Sequence, residues 1–436
     1  MHMPGAGADG AIVTPAGAGG DATADAALAW QRLAAEGWPI PREAFPAGTA
    51  LVGGAVRDAL LDRLGSKPDL DLVVPTDALA LCRQLSRRHG GSTVVLDAER
   101  SIARLAIRGW SVDLARQEGP SLEADLRRRD YTVNALALPL EPNTALLDPT
   151  GGLGHLQARA LVAVSEANLL DDPLRLLRGL RLASELGFGL EATTWEWIQE
   201  HHGRIATVAG ERVLAELEKL ASAPQGQRGL QQTFQCGLLQ PWAPPGTSQA
   251  SPNALQALSP ATALAAGLSA EESLEALPLA RLAAVLDARG LQALRSSRKW
   301  QQRVERLRQW QQRLGSKAPA AAAAALPEAD RLQLHRQLEA DLPALLLGWP
   351  PEQAQAWLRR WRNPSDPLFH PRAALDGGSL QRELGLSPSP QLGALLDHLM
   401  LEQAFGRIHN REEALVQAQV WLTSTRGSSD MAPRRD

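Results

Sequence analysis

The sequence predicts an α+β chain: a small mixed sheet with its helices comes first, and everything after it is helical. Apolar runs of strand length carry the first half of that reading. Asp71–Val74, Thr93–Leu96, Ile102–Ile107, Val112–Leu114 and Ala145–Leu147 all lie between Trp30 and Val164, interleaved with helical stretches such as Ala78–Arg88. After Asp171 the strand pattern stops. Leu-, Ala- and Gln-rich segments at helical spacing continue to about Leu422, broken by Pro/Gly clusters near 241–252, 343–351 and 363–377. The alanine run between Lys317 and Pro327 reads as a short helix or linker. At the ends, residues 1–28 form a Gly/Ala-rich stretch expected to be disordered, and residues 425–436 a polar loose end.

With 436 residues, 44% of them hydrophobic and 21% charged, the chain can bury more than one core. Cys82 and Cys236 stand far apart without metal-ligand spacing, which argues against a disulfide scaffold and a zinc site. A reducing, cytoplasmic setting is expected. The N-terminus has no basic segment followed by an apolar core, and no stretch is long enough to span a membrane. A net charge of −3 leaves no global field to attract RNA, so any such contact must be local. The basic run from Arg295 to Arg313, with Trp300 and Trp310, admits two readings: an RNA surface, or a solvated helix face over two core tryptophans.

Three motifs carry chemistry. In Lys67-Pro68-Asp69-Leu70-Asp71-Leu72-Val73-Val74 the carboxylates of Asp69 and Asp71 fall on one face of a strand. Such a pair repels unless cations sit between its members, and magnesium ions on a nucleoside triphosphate meet that need. Just before it, Gly53-Gly54 opens a helix carrying Arg57 and Asp58. Glycine lets the backbone approach phosphate oxygens, and the helix start offers amides to the same anion. The second motif is Arg128-Arg129-Asp130-Tyr131-Thr132-Val133-Asn134. The third, Asp171-Asp172-Pro173-Leu174-Arg175-Leu176-Leu177-Arg178-Gly179-Leu180-Arg181, repeats Asp172, Arg175, Arg178 and Arg181 every three residues, as one polar helix face would.

With all three in view the chain resembles the bacterial tRNA nucleotidyltransferase and poly(A) polymerase family of the class II type, whose members build or repair the 3′ CCA end of tRNA. The resemblance implies a nucleotidyltransferase head over 29–165, a helical neck with a nucleotide-selecting helix over 166–222, a body over 223–345 and a tRNA-binding tail over 346–424. Glu211–Leu220 is similar to the family's neck-steadying helix, and Gly385–Gly393 with Gly406–Ala414 to its tail. No His-Asp pair of the phosphohydrolase kind marks the C-terminal half, so the longer bifunctional members match poorly.

The implied site follows residue by residue. Asp69 and Asp71 are the magnesium ligands; Asp113 either completes the catalytic carboxylates from a neighbouring strand or caps a turn. Gly54 and Arg57 face the triphosphate, with Asp58 orienting Arg57 or the glycine turn. Arg129 lies on the nucleotide and Asp130 near the ribose, where a carboxylate accepts from a 2′-hydroxyl. Asn134 serves there or in a local turn. Tyr131 stands where the family usually has Phe, and His155 where it usually has Asp, with no catalytic role expected for the histidine.

Asp172 and Arg175 set an acceptor beside a donor. That order matches the amino group and ring nitrogen of cytosine or adenine, and a uracil or guanine would leave groups unpaired at roughly 1–3 kcal/mol each. Arg178 and Arg181 hold the triphosphate or the helix itself. Between Asp113 and Asp125 only Leu114–Ala124 intervenes, and here the chain resembles family members with a shortened loop that stop after CC. The expected activity is therefore transfer from CTP, with ATP as a second candidate, to the tRNA 3′ end, a separate A-adding enzyme finishing the product. Complete CCA addition, A addition and poly(A) synthesis remain family alternatives. A catalytically silent RNA-binding protein is the rival from another class; the intact acidic pair and the Asp172/Arg175 pair argue against it.

Overall fold

The structure, a computed structural model, describes residues 21–244 and 254–429. Its described residues divide into two compact units, one running to residue 225 with residues 232–238 added, the other made of residues 226–231 and those from 239 on. The first unit is built on six strands: β1 (Ala50–Val52), β2 (Leu70–Val74), β3 (Ser92–Asp97), β4 (Ile102–Ile107), β5 (Trp110–Arg116) and β6 (Ala137–Pro139). Their spatial order is β3-β4-β5-β2-β1-β6, with β2 and β5 parallel and every other pair antiparallel.

Register decides what this sheet displays. Val52 of β1 pairs with Asp71, Asp71 with Asp113, and Asp113 with Arg104, so four strands place these side chains in one row on one face. The rows on either side, Leu70, Val112 and Leu105, then Leu72, Leu114 and Ala103, point the other way and are buried. Helix α1 (Ala22–Leu33) packs on α2 (Gly54–Leu60), and α3 (Ala78–His89) lays Leu81, Cys82 and Leu85 against β3, β4 and β5. After β5 come α4 (Leu122–Leu126), α5 (Gly152–Gln157), α6 (Glu166–Asp171), α7 (Leu174–Leu186), α8 (Ala192–Glu200) and α9 (Gly210–Ser222). On α7 the leucines 174, 176, 177 and 180 are buried, which leaves Arg178 on the exposed side.

Several expectations are corrected. The N-terminal stretch was expected to be loose to residue 28, yet α1 starts at Ala22, capped by Asp21; residues 1–20 lie outside the described ones. Asp69 precedes β2 and does not lie within it. Asp172 is not on the arginine helix: its backbone is extended (φ −137°, ψ 96°), and α7 begins only after Pro173, because a residue before proline is pushed out of helical geometry. Ala145–Leu147 forms only a bridge from Leu147 to Ala137. Beyond Asp171, Gly189–Leu190 pairs with Ala160–Leu161, a strand pair too short to show any periodicity.

The second unit is helical throughout its described residues. The basic run becomes the helix Arg298–Leu314, and three of its arginines bond within the unit, while Arg298, Lys299 and Arg306 stay exposed. Arg303 bonds Asp341 at 2.7 Å, Arg313 pairs with Asp330, and Arg308 donates to the carbonyl of Ala283. Of the two tryptophans, Trp310 is buried beneath and Trp300 is only half-buried, so the packing reading is met at Trp310 alone. The expected body and tail share this one unit, the alanine run forms the short helix Pro319–Ala325, and the last helix, Arg411–Ser429, runs past the expected loose end at 425. Cys82 and Cys236 are free and buried. No helix among the described residues is long and apolar enough to cross a membrane.

Candidate active site

The row Asp71, Asp113, Arg104 is the centre of the site. Asp113 gives both carboxylate oxygens to Arg104, from Nε and Nη2 at 2.7 Å each. Neither Asp69 nor Asp71 closes an ion pair or accepts a hydrogen bond from any described residue. Burial pushes the Asp71 carboxyl up to about 6, and the charges of Asp113 and Asp69 add to the rise against the pull of Arg129 and Arg178. Surplus negative charge on oxygen-only donors is what a hard divalent cation offsets, so this donor set fits a metal of that kind.

The raised acid has a thermodynamic consequence. Because the folded value lies above the ordinary 3.8, Asp71 favours the folded state only at low pH. That contribution is lost as pH rises through about 6, leaving a penalty at neutral pH. Asp71→Asn in metal-free protein should therefore gain about 1–2 kcal/mol at pH 7.5, after allowance for solvent screening, with the gain fading below about pH 4. Thermal melts across pH in a chelator check this; a gain independent of pH would contradict it.

The glycine turn sits against the same row. Gly53 has φ +72°, ψ −134°, a conformation that favours glycine, and a Cβ there would stand 3.5 Å from Asp71 Oδ2 and 3.7 Å from Arg129 Nη1. Arg57 turns inward and is buried: Nε and Nη2 donate to Asp58, and Nη1 to Asn134 Oδ1 at 2.7 Å. Asp58 thus orients Arg57, and Asn134 ties the glycine helix to the second motif. Arg129 donates from Nη2 to Asp125 at 3.1 Å, while its buried Nε has no partner.

Asp130 is buried and receives Arg178 Nε at 2.8 Å, the Tyr131 amide at 2.8 Å and Asn134 Nδ2 at 3.3 Å. Burial opposes its charge, yet Arg178 and these bonds hold its carboxyl below the usual value. Asp172 accepts Arg212 Nη2 at 2.8 Å and the Leu174 amide at 3.3 Å. Arg175 donates from Nη1 to the carbonyls of Arg128 and Asn168. Arg181 bonds Glu216 and Glu185 and so braces α7 against α9. His155 meets Thr132 Oγ1 at 2.8 Å.

Arg104, Asp125 and Arg212 were not singled out from the sequence. Arg104 left a signal, being the only charged side chain in an otherwise apolar strand. For Arg212, placed in a helix read as structural, there was none. Elsewhere among the described residues, Glu166, Glu200 and His201 bring one ligand atom each within 4.8 Å of one another; there His201 Nε2 is paired with Glu166 at 2.6 Å.

A mixed sheet with carboxylates beside a glycine turn and a helix start is the head of a nucleotidyltransferase. Residues 49–162 match the poly A polymerase head domain family, and residues 187–249 match the family described as a probable RNA and SrmB- binding site of polymerase A. A CC-adding tRNA nucleotidyltransferase from Synechocystis sp. is 35% identical over 407 residues, covering 87% of this chain and 95% of its own. An A-adding tRNA nucleotidyltransferase from Deinococcus radiodurans is 41% identical over 206 residues, 46% of each chain. The crystal structure of the Bacillus stearothermophilus CCA-adding enzyme in complex with CTP shares the fold, with TM-score 0.66 and 23% identity over 94% of this chain and 99% of that one. The chain belongs to the tRNA nucleotidyltransferase family.

Proposed function

We propose that this enzyme adds two cytidines from CTP to the 3′ end of tRNA in the cytoplasm and then stops. The observation that supports the stop is the connection from β5 to α4, only residues 117–121, which is tied at Gln117, Glu118 and Ser121. The Gln117 amide donates to Val74 O, the Glu118 amide to Asp125 Oδ1 at 2.9 Å, Arg128 pairs with Glu118 at 2.6 Å, and Ser121 caps α4. No free segment remains there to act as a lever on the base-reading residues. The Synechocystis relative, matched over nearly its full length, is CC-adding.

In the reaction the terminal 3′-hydroxyl oxygen attacks the α-phosphorus of CTP, the bond to the β-phosphate oxygen breaks, and pyrophosphate leaves while the hydroxyl proton passes to solvent. Asp69 and Asp71 would hold magnesium, which when bound would lower the hydroxyl pKa and offset the triphosphate charge. Asp113, kept in place by Arg104, completes the carboxylate row. Gly54 and Arg57 shape the triphosphate seat, directly or through Asp58 and Asn134. Arg129, whose Nη1 lies beside the Gly53 turn, contacts the nucleotide, Asp130 orders the ribose side, and Asp172 with Arg175 reads the base. Arg178 and Arg181 fix α7 through Asp130 and Glu216.

The test uses purified protein, tRNA lacking its CCA end, and each nucleoside triphosphate in turn, with products read at nucleotide resolution. Addition should end after two cytidines even in excess ATP, leaving the adenosine to a separate enzyme. Efficient conversion of tRNA ending in CC to tRNA ending in CCA would replace this reading with complete CCA addition.

A further inference from the structure

We infer that Tyr131 is a specificity-determining residue: its buried hydroxyl clips the backbone of Arg175 and holds the base-reading end of α7 at a single, pyrimidine-sized setting. This rests on the reading of Asp172 and Arg175 as the base readers. Tyr131 has no exposed surface, and its hydroxyl donates to the Arg175 carbonyl oxygen at 2.8 Å. One turn further along α7 stands Gly179, where a Cβ would lie 2.1 Å from the tyrosine oxygen and 2.7 Å from Cζ. The helix therefore lies flush on the ring only because that position carries no side chain. Ring and glycine set the separation of α7 from the head, and the hydroxyl sets its position along the axis.

The clip is rooted where the phosphate side of the site is built. The Tyr131 amide donates to Asp130, Tyr131 bridges to Ala163, and the Thr132 amide donates to Val162 O. Two residues back, Arg129 faces the glycine turn and Asp71. Three consecutive residues thus link the triphosphate side to the base side. A purine is longer than a pyrimidine, so seating one on the same phosphates requires the readers to move outward. That movement would pull the Arg175 carbonyl off Tyr131 and leave a buried phenol without a partner. A phenylalanine here would have no such bond to break.

The experiment is Tyr131→Phe in the full-length protein, with kcat/KM measured for CTP on tRNA lacking its CCA end and for ATP on tRNA ending in CC. The readout is the ATP:CTP ratio, which cancels any loss common to both. It should rise about tenfold, the factor carried by one buried hydrogen bond. A ratio within about twofold of wild type would show that the hydroxyl only packs. Asp172→Ala and Arg175→Ala run in the same assay separate the two ideas. If they erode selectivity while Tyr131→Phe does not, the clip fails alone; if they leave selectivity untouched, the base-reading assignment fails and takes the clip with it.

Discussion

Replacing Asp69 or Asp71 by alanine is expected to cut nucleotide addition by more than about a thousandfold while the protein stays folded and keeps its affinity for tRNA. These two carboxylates have no partner among the described residues, so their removal breaks no ion pair and leaves no buried group stranded. A core aspartate would behave differently: the loss of Asp130, with its bonds to Arg178, Tyr131 and Asn134, should cost stability as well as activity. At position 71 stability should instead rise at neutral pH, since the substitution removes an acid that burial and its neighbours hold in an unfavourable ionised state. Activity lost with stability gained is a signature that a merely structural role cannot produce. Single-turnover addition from CTP, a gel-shift titration with tRNA and a thermal melt supply the three measurements. Activity within about tenfold of wild type in both variants would remove these residues from the metal site.

The second large effect concerns base choice. Asp172→Ala and Arg175→Ala should each erode discrimination against UTP and GTP by about tenfold to a hundredfold, with a smaller effect on affinity for the triphosphate, because the lost contacts are to base edges. The geometry sharpens this. Asp172 is oriented by Arg212 and the Leu174 amide, and Arg175 by the carbonyls of Arg128 and Asn168. Both side chains are thus positioned by α9, α6 and the second motif before any base arrives, which lowers the cost of ordering them on binding. Incorporation of each of the four triphosphates under matched conditions reads the effect, and selectivity ratios equal to wild type would reduce this end of α7 to a structural arginine face.

The sequence alone determined the class of fold and singled out the candidate groups for the chemistry. The apolar run of β2 beside the acidic pair Asp69 and Asp71, the glycines ahead of Arg57 and the spacing of the α7 arginines are local patterns, and local patterns survive in one dimension. The break of helix at Pro173 was equally local, yet the periodic arginines masked it and Asp172 was read onto the helix. β1 and β6, three residues each and almost wholly buried, could not show alternation because both faces are covered.

Only the tertiary structure decided who partners whom. The row Asp71, Asp113, Arg104 exists because β2 and β5 run parallel in one register while β4 returns antiparallel, and register is a property of paired strands. Arg212 reaches Asp172 from 40 residues away, and Tyr131 reaches Arg175 from 44 residues away against a glycine that would otherwise look like a helix defect. Contacts of that separation depend on how helices dock rather than on what they contain, so the candidate residues for the chemistry were legible and the contacts that position them were not.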